Sequence, residues 1–117
     1  MGRWVGTMKT AYLNDRQIRP TEYRSWSDAV RRFERREEDR KTVDGWKEHI
    51  ERHGLRKPIK LGISARYPED VYVGNGHHRA VALMELGVRE FPFYWYWISY
   101  SSVRMETGPF PHKQTGL

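Results

Sequence analysis

Val71-Tyr72-Val73-Gly74-Asn75-Gly76-His77-His78-Arg79 is the stretch that decides how this chain is read. A short run of strand-forming residues enters Gly-Asn-Gly. Directly behind it, Ala80, Val81, Leu83, Met84 and Leu86 recur at helical spacing until Gly87. Strand, glycine turn and helix start together make an anion-binding geometry. The glycines let backbone N–H groups face an anion, and the helix dipole favours negative charge there. Arg79, in the first turn of the helix, adds a charge-assisted contact, and His77 and His78 supply donors or a proton acceptor near neutral pH. The expected phosphate- or nucleotide-binding set is Gly74, Asn75, Gly76, His77, His78 and Arg79. A plain turn carrying a solvated histidine pair uses the same letters, so the stretch gains meaning from what surrounds it.

Upstream, Ile59, Leu61 and Ile63 alternate within Pro58–Ile63 like one face of a half-buried strand. A turn over 64–70 then pairs this strand with Val71–Val73 as a hairpin. Further back, Val43, Trp46 and Ile50 recur on a helix that Thr42 can cap and Gly54 ends. Ser25 or Ser27 can cap another helix near Asp28, with Ala29, Val30 and Phe33 as its apolar contacts. Its continuation carries mixed charges at helical spacing, the mark of a solvated helix with weak ion pairs. Residues 10–13 read as a first strand, followed by a polar loop through Arg19 and Pro20. Downstream, 91–98 is a strand in which Phe91, Phe93, Trp95 and Trp97 face one way and Tyr94, Tyr96 and Ile98 the other. The first face suits a core, and the second a core or a stacking platform for bases. A short strand near Val103 and a poorly ordered Gly/Pro-rich tail over 108–117 complete the expectation.

The chain has 117 residues, which predicts one domain over 1–117. It contains no Cys, excluding disulfides, a zinc–thiolate site and a thiol nucleophile. No apolar run approaches the ~20 residues a membrane helix needs, and the opening Gly2-Arg3-Trp4 is not that of a secretory signal, so a cytoplasmic location is expected. Lys and Arg number 21 against 15 Asp and Glu, a net charge of +6 that points to a polyanionic partner. The excess lies in 1–24, where Arg3 and Lys9 add to it, and in 42–62. Arg16, Arg19, Arg24, Arg56 and Lys57 are the candidate DNA contacts. His49 and His53 are spaced i, i+4, but Ile50 stands where the zincin pattern needs Glu, so no metal site is expected.

Three stretches, in this order, resemble the ParB/sulfiredoxin superfamily. Ile18-Arg19-Pro20-Thr21-Glu22 is similar to the segment that opens ParB-type nuclease and kinase domains. The run from Trp46 to Ile59, with Gly54-Leu55 and Pro58-Ile59, is similar to the family's helix, its "GL" and the "PI" that enters a strand. Gly76-His77-His78-Arg79-Ala80 resembles the family's "DGHHR" box, and Leu86-Gly87 and Phe91-Pro92 resemble the "LG" and the proline-bearing strand entry downstream of that box. The resemblance spans about residues 10–98. It implies an α+β fold, a compact domain with a small mixed sheet and flanking helices, in which the box cradles nucleotide phosphates. It also implies a nucleoside triphosphate (ATP or CTP) and Mg²⁺ as cofactors and nucleotide or DNA as partner, and it places Glu22 where kinase-like relatives have an acidic catalytic residue. With His77 or His78 as the donor or general acid beside the loop, Glu22, His77 and His78 are the catalytic candidates. A small Cys-free member of this kind suits a phage or mobile-element protein.

Two departures limit the transfer. Asn75 stands where the box carries Asp, and an amide is no carboxylate base and a weaker Mg²⁺ ligand. His77 stands where sulfiredoxin has its catalytic Cys, so that reductase chemistry is excluded. The chain also stops short of the helix-turn-helix with which partition ParB reads DNA. The expected function is a Mg²⁺-dependent nuclease or a nucleotide-hydrolysing or phosphotransfer enzyme. The alternative is a DNA- or protein-binding adaptor that keeps the fold without turnover.

Overall fold

The computed structural model describes residues 6–105 and 108–117, so Arg3 and Trp4 lie outside the described residues. Its mixed sheet contains β1 (Gly6–Lys9), β2 (Ile18–Pro20), β3 (Ile59–Ser64), β4 (Val71–Asn75), β5 (Glu90–Ile98) and β6 (Val103–Met105). The order is β1-β5-β3-β4-β2, with β6 also paired to β5. β3 and β4 form the expected antiparallel pair, whereas β3–β5 and β2–β4 are parallel. The register aligns Ile18 with Val71, Val73 with Leu61, and Leu61 with Trp95. Side chains that alternate along each strand therefore gather on one face. Ile18, Ile59, Leu61, Ile63, Val71, Val73, Phe91, Phe93 and Trp95 are buried there, as the alternation in 59–63 and 91–97 predicts.

Helices α1 (Trp26–Arg35), α2 (Glu37–His53) and α3 (His77–Leu86) pack on one another, and α2 runs against α3. Ser25 caps α1 by accepting the Asp28 N–H at 3.1 Å. The helix begins at Trp26 because that residue is tied down twice. Its backbone N–H donates to Asp15 Oδ1 and its indole N–H to the Ile18 carbonyl, both at 2.8 Å. Gly54 (φ 73°) and Gly87 (φ 68°) end α2 and α3 as expected.

Four expectations are corrected. The first strand is 6–9 rather than 10–13, because the ladder with β5 ends at Lys9 opposite Glu90. Thr10 N–H then turns to the Arg89 carbonyl at 2.9 Å, and Thr10–Tyr12 coil into a 3₁₀ turn. Ile18–Pro20 is an edge strand rather than loop, a place where a proline without an N–H is tolerated. Helix α2 starts at Glu37, not at Thr42, whose hydroxyl donates to the Glu38 carbonyl inside the helix at 3.0 Å. Glu37, Glu38 and Asp39 favour that early start through the helix dipole. The tail is also ordered over 108–117. Phe110 is 4% exposed, its ring meets Phe93 and Trp95 edge-on at 5.2 and 5.8 Å, and α4 (His112–Thr115) follows.

The opposite sheet face carries tyrosines laid over glycines. A Cβ on Gly62 would stand 2.8 Å from the Tyr72 ring, and one on Gly74 would stand 2.3 Å from the Tyr96 hydroxyl. Gly74 is also where the β3–β4 register slips, since Lys60 pairs with Asn75 and Leu61 with Val73. Lys60 lies over the Tyr96 ring at 4.6 Å and Arg19 over Tyr72 at 5.0 Å. Burial pushes the Tyr96 hydroxyl pKa up to about 12. Of the two rings expected to offer a stacking platform, Tyr96 is thus overlaid by a cation.

Seating of the C-terminal segment is directly measurable. Phe110→Ala should cost roughly 3 kcal/mol in urea unfolding, the scale for emptying a buried phenylalanine site. A loss below about 0.5 kcal/mol, the ordinary range for surface substitutions, would mean that Phe110 is not packed in solution.

Candidate phosphate-binding site

The first turn of α3 is open at its N-terminus. Gly76 takes the left-handed conformation (φ 114°), and no side chain caps the helix. The first intrahelical bond, Ala80 N–H to the Gly76 carbonyl at 2.8 Å, lies beyond the N–H groups of His77, His78 and Arg79. A side chain at position 76 would be strained by that φ and would meet Arg79 Nη2 at 3.1 Å. These groups border a cleft of about 230 Å³ lined by Glu22, Trp46, Lys57, Asn75, His77, His78 and Arg79.

The two histidines have different tasks. His77 is buried, and its Nε2 accepts the Thr21 backbone N–H at 3.1 Å. That bond puts the ring proton on Nδ1, which faces Glu22 Oε2 at 3.7 Å. Burial holds the His77 pKa below its ordinary value, outweighing the pull of Glu22, and His78 pushes the same way as burial. His77 is therefore a neutral ring that fixes the β2–α1 connection. His78 is half-buried and lies flat on Phe33, with ring centres 4.2 Å apart. Its Nε2 is 3.0 Å from Asp39 Oδ1 on α2. The carboxylate accepts the hydrogen bond of the Nε2 N–H, which fixes the orientation of the ring and leaves Nδ1 as its other nitrogen.

Arg79 is buried rather than held out to a ligand. Its Nη1 donates to the carbonyls of Lys57 at 3.0 Å and Pro58 at 2.8 Å, its Nη2 reaches Asn75 Oδ1 at 3.4 Å, and its guanidinium lies 5.5 Å from the Trp46 ring centre. Burial lowers its pKa from the ordinary arginine value. Through those carbonyls Arg79 sets the loop that brings exposed Lys57 to the cleft. Glu22, with 67% of its side chain exposed, lines the same cleft from the other wall.

The structure thus brings Glu22, Lys57, Asn75, Gly76, His77, His78 and Arg79 together, and Gly74 stands one residue behind on β4. Arg16 and Arg56 are exposed but line no part of this cleft. Arg19 is engaged by Asp70, with Nε to Oδ1 at 2.7 Å and Nη2 to Oδ2 at 3.1 Å, so its charge is already paired. Arg24 lies in a second cleft of about 460 Å³ with Tyr23, Arg31, Arg32 and Arg35, and Glu22 lines both clefts. His49 and His53 rings are 5.0 Å apart on α2. Among the described residues, no group of three His, Asp or Glu is placed to hold a metal ion. Sequence reading missed Asp39, which orients His78, and Thr21, which fixes His77. Both act across the fold, and no local spacing marks them.

No model of a known protein family matches the sequence, and no curated protein is significantly similar to it. Among solved structures, the chain is similar to the crystal structure of sulfiredoxin from Arabidopsis thaliana. The match covers 83% of this chain and 89% of that one at 16% identity, with a TM-score of 0.56. No helix among the described residues is long and apolar enough to cross a membrane. The α+β architecture read from the sequence is similar to the fold of that sulfiredoxin, and in this chain Gly76, His77, His78 and Arg79 stand at the turn from β4 into α3.

Proposed function

We propose that this chain binds the phosphates of a nucleotide or nucleic acid at the α3 N-terminus and acts there as a phosphoryl- or phosphodiester-directed enzyme. The observation that carries the reading is the uncapped first turn of α3, opening on a cleft with Lys57 on one wall and a carboxylate-oriented His78 beside it. Free N–H groups and a cation favour a phosphate oxygen, and the helix dipole adds to both. His78, held by Asp39, is set to donate to a leaving oxygen when protonated, and exposed Glu22 is the candidate base. Glu22 is the carboxylate lining the cleft, so Mg²⁺ would be held by Glu22 together with the phosphates and would neutralise their charge. His77 keeps the β2–α1 loop and Glu22 in place. A second reading, binding without turnover, is favoured by Asn75, whose amide is directed at Arg79 where the resembling box has a carboxylate.

A nucleoside triphosphate at one hundred times its Kd should stabilise the fold by about 2.7 kcal/mol and raise Tm. Lys57→Ala should shrink that shift without unfolding the protein. No shift with ATP, CTP or GTP at millimolar concentration, with or without Mg²⁺, would sink the phosphate reading. Arg79→Ala is unsuitable, since it strands two carbonyls.

Turnover is tested by Mg²⁺-dependent DNA nicking and by phosphate release from nucleotides. Glu22→Gln and His78→Ala should each cost about 10²- to 10⁴-fold. Wild-type turnover that survives both changes would place the chemistry elsewhere. Activity confined to Asn75→Asp would identify the natural protein as a binder.

The depressed His77 pKa also makes stability depend on pH. Below its ordinary value of 6.5 the unfolded chain takes up a proton that the folded ring resists. The contribution of the neutral ring is therefore complete above that pH and is lost as pH falls below it. Tm should drop between about pH 7.5 and 5.5 more steeply in the wild type than in His77→Gln. Parallel curves would contradict a buried neutral ring.

A further inference from the structure

The connection at residues 22–23 separates two clefts. On one side is the α3 N-terminus, and on the other the larger cleft on α1 walled by Arg24, Arg31, Arg32 and Arg35. Four guanidinium groups face two carboxylates there, Glu22 and Asp28. Asp28 pairs with Arg31. Arg32 is held over the Tyr23 ring at 5.9 Å and lies 3.9 Å from Asp39. Among the described residues neither Arg24 nor Arg35 has an ion-pair partner. Much of the long charged run therefore cancels, but this corner does not.

The spacing of these cations narrows the ligand. Arg31 and Arg35 stand one helical turn apart on an exposed face, about 5–6 Å between Cβ atoms, a repeat that suits successive phosphates of an extended strand. Tyr23 lies between the clefts. Its ring is half-buried, set edge-on against Phe33 at 5.3 Å and against His77 at 5.6 Å. An aromatic ring beside a cationic groove is how unpaired bases are held without regard to sequence, and a duplex offers no such free base face.

We infer that the arginine cleft on α1 carries the backbone of a single-stranded nucleic acid, with Tyr23 as its base-stacking residue, and that the strand continues into the α3 cleft. The inference rests on the phosphate reading of that second cleft and names its ligand as a polynucleotide rather than a free nucleotide. Charge complementarity comes from Arg24, Arg31 and Arg35, which replace the strand's counterions. Arg32, 5.9 Å from the centre of the Tyr23 ring, adds its charge beside that residue.

The test compares the wild type with an Arg24→Ala, Arg31→Ala, Arg35→Ala triple variant. Fluorescence anisotropy follows a labelled oligothymidine of about 12 nucleotides, within the usual range of single-strand sites, titrated at about 50 to 200 mM salt. The triple variant should lose at least about tenfold in affinity, and its slope of log K against log salt should fall by about 2, since three phosphates are given up. Its affinity for ATP and CTP should match the wild type, and circular dichroism should show it folded, because only Arg31 among the three is in an ion pair. Tyr23→Leu should weaken the oligonucleotide while leaving the salt slope in place. An unchanged affinity and slope in the triple variant would overturn the inference, as would a wild type that prefers a duplex of equal length. Equal loss of mononucleotide and oligonucleotide would also overturn it, by making the arginine cleft part of a mononucleotide site. If oligonucleotide binding depends on the three arginines while no mononucleotide shifts the wild-type Tm, the arginine cleft stands as the strand's site, and the α3 reading falls together with the continuation of the strand into it.

Discussion

The buried guanidinium of Arg79 is the contact on which the site depends. A cation taken out of water must be met by fixed dipoles, and here the Lys57 and Pro58 carbonyls and the Trp46 ring meet it. Those partners come from two different places, the loop entering β3 and helix α2, so one side chain of α3 ties both to the glycine turn. Each carbonyl left bare by its loss would cost roughly 1–3 kcal/mol. Lys57 owes its place at the cleft to its own carbonyl being held from below. The arginine that the sequence offered as a phosphate contact is thus better described as the brace that holds an exposed lysine at the cleft.

A similar division runs through the histidine pair. Adjacent residues at the start of a helix point in different directions, and their surroundings separate them. His77 turns inward to the Thr21 N–H and stays neutral, while His78 lies on Phe33 with Asp39 behind it. The cleft therefore has one side chain built into the wall and one oriented by a carboxylate. Glu22 comes directly after Thr21, so the bond that anchors His77 also positions the candidate base.

Legibility in the sequence depended on how local each feature is. The α3 start, its glycine stop and the buried faces of β3 and β5 are written in neighbouring residues, and all were legible. The first strand was displaced because its end is decided by Arg89 and Glu90, far along the chain. The start of α2 was hidden because Glu37, Glu38 and Asp39 carry no apolar periodicity. They favour the helix through the dipole instead. Phe110, between prolines in a polar tail, gave no pattern from which burial against Phe93 and Trp95 could be inferred. The site was readable as a cluster of types, yet the roles of Arg79 and His77 depended on burial, which the motif does not encode.

Gly74 belongs to the glycine turn by its place in the chain, but the Tyr96 hydroxyl occupies the space a side chain there would need. Positions 74 and 96 are accordingly one choice made twice. A Cβ at 74 would require the Tyr96 hydroxyl to move aside, or a smaller residue at 96. The turn that opens α3 is therefore coupled, through the bare backbone of Gly74, to a strand two places away in the sheet, and Gly74→Ala strains β5 as much as the turn itself.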